Sequence, residues 1–275
     1  MSFETSDIRT PKYEERYVAF VDILGFRGII DRITKGAWAP EVVLALLRKV
    51  HEPPRLDKPN PELGKVKIVS GGFRAQSISD AVVLSADLEP WGLYHICYSI
   101  SELAVTLLQE GIFIRGAITR GMLYHDDKTV FGQGLVKAYD FESKIASVPR
   151  VVITRDVVTD IEIAKRIFPY DSNFRNTLQQ AEDGPMYLNV LEGIANELLR
   201  MADDNLNSIS QLSANSRYRT IDVMRDNIQD EFDSSTDDPQ VFQKIQWFAA
   251  YWNRVIPGRI MSPITGPGVA PRAFQ

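Results

Sequence analysis

Tyr17-Val-Ala-Phe-Val-Asp-Ile-Leu24 is a short, almost wholly apolar run rich in β-branched and aromatic residues, the composition of a central β-strand. One residue does not fit it. Asp22 is a carboxylate among Val18, Phe20, Val21, Ile23 and Leu24, costly to bury unless it is paired or metal-bound. A strand-end aspartate that faces solvent or caps the next helix is the plainer alternative. Gly25 breaks the run, and residues 26–35 read as a helix. The backbone N–H groups of Leu24, Gly25 and Phe26 would then lie at a helix N-terminus, where phosphate binds readily.

From this strand the chain reads as alternating elements. A second helix follows Pro40 and runs to about His51, and the proline-rich residues 52–64 form a loop. Strands are expected over about 66–78 and 81–86, turning at Ser79-Asp80. Pro90 opens the clearest helix, with Leu93, Ile96, Cys97, Ile100, Leu103, Ala104, Leu107 and Leu108 on one face until Gly111 ends it. Residues 112–119 form the next strand, 121–131 a hairpin turning at Asp126-Asp127, 135–147 a helix and 150–154 a strand. That order predicts an α+β fold of the ferredoxin-like, split βαβ kind, mainly antiparallel with helices on one face. The main domain would span 13–185, a helical C-terminal extension 186–256 with an acidic break at 230–238, and an extended tail 257–275.

Composition narrows the function. A net charge of −5 argues against a general nucleic-acid or acidic-membrane binder, though not against one small polyanion held by a metal. Cys97 is the only cysteine and His51, His95 and His125 are scattered, so neither a disulfide nor a Cys- or His-based metal site is expected. The polar N-terminus resembles no signal peptide, and no apolar stretch approaches the ~20 residues of a membrane span, so a cytoplasmic protein is expected.

Asp80 is the second candidate. It too has apolar strand neighbours (Ile78, Ala81, Val82), although aspartate is also an ordinary turn residue. In a split βαβ sheet the end of the first strand lies beside the hairpin tip, so Asp22 and Asp80 can meet there. Two converging carboxylates repel without a cation, and hard oxygen ligands suit Mg²⁺ or Mn²⁺. Arg115, an arginine in an apolar strand, needs an anionic partner, either at an interface or on a substrate phosphate. Gln76 shares a strand face with Ile78 and Asp80, and its amide can both donate to and accept from a base edge.

Phe20-Val-Asp-Ile-Leu-Gly-Phe26 resembles the first metal-binding motif of the class III nucleotidyl cyclases. Ile78-Ser-Asp80 resembles their second, with Ser79 where a glycine is usual, and Val130-Phe-Gly132 with Ala138 and Phe141-Glu-Ser143 resembles their third. The resemblance spans about residues 17–156. The family's transition-state Asn and Arg fall at Val136 and Asp140, so that pair is absent, with Lys137 beside the vacant Asn position. Asp22-Ile-Leu-Gly-Phe26, Ser79-Asp80 and Arg115-Gly-Ala-Ile-Thr-Arg-Gly121 are more similar to the pyrimidine nucleotide cyclases of bacterial anti-phage (Pycsar) systems. The aromatic segment from Lys244-Ile-Gln-Trp247 to Tyr251-Trp-Asn253 is similar to that subgroup as well.

What the resemblance implies is an expectation. Two Mn²⁺ or Mg²⁺ ions would be held by Asp22, Ile23 and Asp80, and Arg115 would act in catalysis. Leu24, Gly25 and Phe26 would bind phosphates, Gln76 and Thr129 would select the base, and Glu142 would be structural. The chain would work as a homodimer with composite sites, convert UTP (or CTP) to a 3′,5′-cyclic monophosphate, and signal to a separate effector protein. The alternatives are a catalytically inactive, nucleotide-sensing dimer and an interaction module.

Overall fold

The computed structural model describes residues 12–49, 72–203 and 214–267. The loop expected over 52–64, the start of the 66–78 strand, part of the helical 186–230 stretch and the end of the tail lie outside the described residues.

The fold is α+β, built on a mainly antiparallel eight-stranded sheet. Its strands are β1 (Glu14–Ile23), β2 (Arg74–Ile78), β3 (Ala81–Asp87), β4 (Ile114–His125), β5 (Val130–Phe131), β6 (Val151–Ile153), β7 (Leu178–Gln180) and β8 (Met186–Leu188). The spatial order is β2-β3-β1-β4-β6-β8-β7, with β5 paired to β4 off this path. β1 lies between β3 and β4, antiparallel to both, which is the expected split βαβ arrangement. Among the described residues only the β4–β6 pairing is parallel.

Among the described residues the helices are α1 (Phe26–Thr34), α2 (Pro40–Lys49), α3 (Pro90–Leu108), α4 (Gln133–Ile145), α5 (Arg155–Ala164), α6 (Ser172–Arg175), α7 (Glu192–Asp203), α8 (Ser216–Ser234) and α9 (Pro239–Val255). Strand alternation sends Tyr17, Ala19, Val21 and Ile23 to one face, where they join the apolar stripe of α3 in the main core. α7, α8 and α9 bury Leu198, Ile228, Phe248 and Trp252 in that same core, so the C-terminal helices share it with the sheet. Val18 and Phe20 point to the opposite face, which α4 alone covers through Ala138 and Leu135. The helices therefore lie on one face with this single exception among the described residues.

Glycine is required where α4 meets the sheet. A Cβ on Gly134 would come within 2.8 Å of the Val18 side chain, and one on Gly121 within 3.0 Å of the Gly134 Cα. That approach lets Thr119 Oγ1 donate to the Gly134 carbonyl at 3.1 Å.

Several expectations are corrected here. Residues 112–119 and 121–125 form one continuous strand, β4, because Gly121 stays in register opposite Arg16. The stretch from 186 is not helical at its start. Met186–Leu188 is β8, paired with β6 and with β7, so the sheet reaches past residue 185. The acidic stretch at 230–238 does divide two helices, but the division is shorter than expected, since α8 continues to Ser234 and a 3-10 turn leads to the Asp238 cap of α9. No helix among the described residues is long and apolar enough to cross a membrane.

Candidate active site

Register brings the candidate residues together at one end of β1. Asp22 lies opposite Ala81 of β3 and Arg115 of β4. The Ile23 N–H donates to the Asp80 carbonyl at 2.9 Å, tying the hairpin tip to the strand end. Ser79, just before Asp80, holds φ at 58°, the only positive φ outside glycine among the described residues. Such conformations cost free energy in non-glycine residues and cluster at functional sites. Serine thus occupies a left-handed position that glycine would fill without strain.

Arg115 and Asp22 belong to one chain and touch. Arg115 Nε donates to Asp22 Oδ2 at 3.1 Å and lies 2.5 Å from Glu142 Oε1, projecting from α4. One N–H cannot align with both, and Glu142 Oε1 is buried without a hydrogen-bond partner. The charge of Arg115 is taken up inside the chain, by the carboxylate expected to bind metal.

The cluster is short of positive charge. Burial pushes the Asp22 carboxyl above its ordinary pKa, Arg115 opposes the shift, Asp80 adds to it and Lys244 opposes it. Burial likewise raises Glu142, against Ser143 and Arg115 and with Asp22. Asp22 and Glu142 thus share one arginine, and Asp22 feels Asp80 as a like charge.

The donor set fits a hard divalent ion. No group of three or more His, Cys, Asp or Glu side chains among the described residues is placed to hold a metal. Asp22, Asp80 and the carbonyl of Ile23 would be a partial oxygen set, of the kind Mg²⁺ completes with water and substrate phosphates.

Gly25 caps α1 with φ 75°, no side chain caps the helix, and nothing lies within 4 Å of where its Cβ would be. The helix N-terminus is therefore open beside Asp22. The expected phosphate cradle is narrowed at Leu24, whose N–H is spent on the Phe113 carbonyl at 2.9 Å. Gly25 and half-buried Phe26 remain.

The base-selecting candidates form a second group. Gln76 pairs with Val83, which pairs with Phe20, one row and roughly 7 Å along the strands from the Asp22 row. Gln76 Nε2 donates to the Lys128 carbonyl at 3.2 Å, while its Oε1 is buried without a partner. Thr129 follows Lys128 in the exposed β4–β5 turn, its N–H donating to Asp126 Oδ1 at 2.7 Å. Between the groups, Phe20 packs edge-on against Tyr139 with ring centroids 5.5 Å apart.

Lys137 does not stand free at the vacant Asn position, because its ammonium pairs with Asp156 at 3.1 Å. Arg120, on the same cleft, pairs with Asp160 at 2.9 Å. Lys244, whose charge favours ionised Asp22, belongs to the aromatic segment quoted above but is not among the site residues expected from the sequence, because its position depends on how α9 packs.

No family model matches this chain, and no curated protein does. Among solved structures, a class III adenylyl cyclase-like ATP-binding protein from Pseudomonas aeruginosa is similar at 14% identity and TM-score 0.32, over 54% of this chain and 34% of that one. The catalytic core of a rhodopsin-guanylyl cyclase with converted specificity, in complex with ATPalphaS, is similar at 14% identity and TM-score 0.34, over 65% and 96%. An adenylate/guanylate cyclase/hydrolase from Silicibacter pomeroyi is similar at 12% identity and TM-score 0.27, over 64% and 95%. This chain thus spans about a third of the length of the first of them. Likenesses this slight assign neither substrate nor activity.

Proposed function

We propose that this chain is a metal-dependent nucleotidyl cyclase, converting a nucleoside triphosphate to its 3′,5′-cyclic monophosphate and pyrophosphate. The observation that carries the reading is the under-neutralised carboxylate pair, Asp22 and Asp80, beside the open N-terminus of α1. In the reaction the substrate 3′-oxygen attacks its own α-phosphorus, the bond to the β-phosphate oxygen breaks, and the 3′-hydroxyl proton passes to solvent. Divalent ions, when bound, would make the 3′-oxygen a better nucleophile and offset charge on the phosphates.

The chain's own residues have separate tasks. Asp22, Asp80 and the Ile23 carbonyl would hold the ions. The N–H groups of Gly25 and Phe26 meet phosphate oxygens at a helix terminus. Arg115 is a positioning residue, since its guanidinium fixes the Asp22 carboxylate from behind. Gln76 and Thr129 face the base, and the acceptor Oε1 of Gln76 suits the ring N–H of uracil. UTP is preferred over CTP on the resemblance to the Pycsar cyclases, which also suggests a cytoplasmic role in anti-phage signalling to a separate effector. A homodimer suits the exposed apolar side chains of α4 and β5, with Val136 61%, Tyr139 54% and Phe131 53% exposed.

A second reading is a nucleotide-sensing dimer without turnover. It is favoured by the vacant Asn and Arg positions, where Lys137 and Arg120 are both tied to aspartates. Incubation with each of the four nucleoside triphosphates and Mn²⁺, followed by product identification, separates the two. Cyclic UMP with equimolar pyrophosphate is expected. Nucleotide binding without any product would favour the sensor, and neither binding nor product would overturn both.

A further inference from the structure

We propose that Lys244, on α9 of the C-terminal extension, binds the β- and γ-phosphates of the substrate, so that the extension completes the site within the same chain. The inference rests on the cyclase reading above and gives the extension a role in it.

The position of α9 is set by packing. Phe248 meets Phe113 edge-on, with ring centroids 4.9 Å apart and planes at 75°. Phe113 is the residue whose carbonyl fixes Leu24, two residues after Asp22. Ile245 and Phe248, each 5% exposed, anchor this face of α9 in the main core. Lys244 is one helical turn before Phe248 and shares its side of the helix. It is therefore carried towards the end of β1 where Asp22 and Asp80 lie.

The side chain is half-buried and makes no hydrogen bond or ion pair among the described residues. Holding a lysine partly out of water without an ion-pair partner has a cost, and its aliphatic stem offsets only part of it. Three cations near α4 are already engaged: Arg115 by Asp22 and Glu142, Lys137 by Asp156, Arg120 by Asp160. A triphosphate brings several negative charges to a site that already carries Asp22, Asp80 and Glu142. A mobile ammonium is suited to that task, because it can follow phosphate oxygens as a point charge without bidentate geometry.

The test is calorimetric titration of inorganic tripolyphosphate with Mg²⁺ into the full chain, which reads phosphate binding without turnover. Lys244→Ala should weaken binding at least about tenfold, the scale of one charge-assisted hydrogen bond. Lys244→Arg should bind within about threefold of wild type, less than one such bond. Arg219→Ala, which removes the same charge from an exposed site on α8, should leave binding unchanged. Thermal melts of each variant check folding, and Lys244→Gln keeps the stem if alanine unfolds the chain. Unchanged binding in Lys244→Ala, with loss in Asp80→Ala, would overturn the role of Lys244 and leave the cyclase site standing. No tripolyphosphate binding by wild type would defeat the cyclase reading and the inference together.

Discussion

At the Glu14 end of β1, Arg16, Ser85, Asp87 and His125 form a polar cluster inside the sheet; at the other end, Asp22, Arg115, Glu142 and Asp80 form a second on the same face. In the first, Arg16 is 5% exposed, donates to Ser85 Oγ at 3.2 Å and pairs with Asp87 at 2.6 Å. Ser85 Oγ lies 2.8 Å from His125 Nδ1, and burial foremost, with Arg16 and Arg74, pushes the imidazole pKa down to about 4. Arg16 bonds Glu14 as well as Asp87, and Arg74 acts on the ring as a second cation, so the charges are matched there and the titratable ring is kept neutral. The second cluster places two carboxylates, Asp22 and Glu142, against one arginine, adds Asp80 as a like charge on Asp22, and stays half-open to water. A buried Ser–His contact is thus a structural device here, and the imbalance of charge marks the end that needs a ligand.

The largest expected effect is on turnover. Asp22→Ala and Asp80→Ala should each lower activity at least about a thousandfold, several kcal/mol of transition-state stabilisation. Their melts should stay cooperative, because each removes one of the clustered carboxylates. Wild-type rates in either would remove this end from consideration.

Truncation at the matched end should act on stability instead. Arg16→Ala strips Asp87 of its arginine and removes the donor to the Gly72 carbonyl. A loss of roughly 3–5 kcal/mol in urea unfolding is expected. A loss below about 1 kcal/mol, the scale of a surface pair, would show that the network is not the brace described.

Opposite pH dependences should separate the ends. His125 has its pKa lowered from 6.5 to about 4, so its contribution is full above 6.5 and is lost as pH falls towards 4. Up to about 3 kcal/mol is at stake, and His125→Gln should flatten that limb. Asp22 has a raised pKa, so its contribution is full below the ordinary carboxylate value of 3.8 and is lost as pH rises through the raised one. Asp22→Asn should therefore melt higher than wild type at neutral pH, with the gain shrinking under acid. A gain that grows on acidification would contradict the charge imbalance.

The smallest effect concerns the base. Wild type should prefer UTP over ATP and GTP at least about tenfold, and Gln76→Ala should erode that by roughly 1–3 kcal/mol or less. An unchanged preference would move the selecting contact to Thr129.

Much of the architecture was legible in the chain, and the limits have physical causes. The periodicity of Leu93, Ile96, Cys97, Ile100, Leu103 and Leu107 identifies α3, because a long amphipathic helix repeats its signal. β7 and β8 have three residues each, too few to show alternation, so residues 186–188 carry a helical pattern in the sequence and a strand in the fold. Asp22 and Asp80 stood out as charges in apolar runs. The Asp22–Arg115–Glu142 contact did not, because cross-strand register joins residues 93 apart. Lys244 was hidden for the same reason, since only tertiary packing carries it to the site.

Titration of Mn²⁺ followed by its electron paramagnetic resonance signal, with tripolyphosphate present, compares the two ends most directly. Wild type should remove free Mn²⁺ from solution. Asp22→Ala and Asp80→Ala should each bind it at least about tenfold more weakly, the loss of one carboxylate ligand. His125→Gln, altered only at the matched end, should bind like wild type. Equal binding by wild type and both aspartate variants would contradict the assignment of this end of β1 as the metal-dependent site.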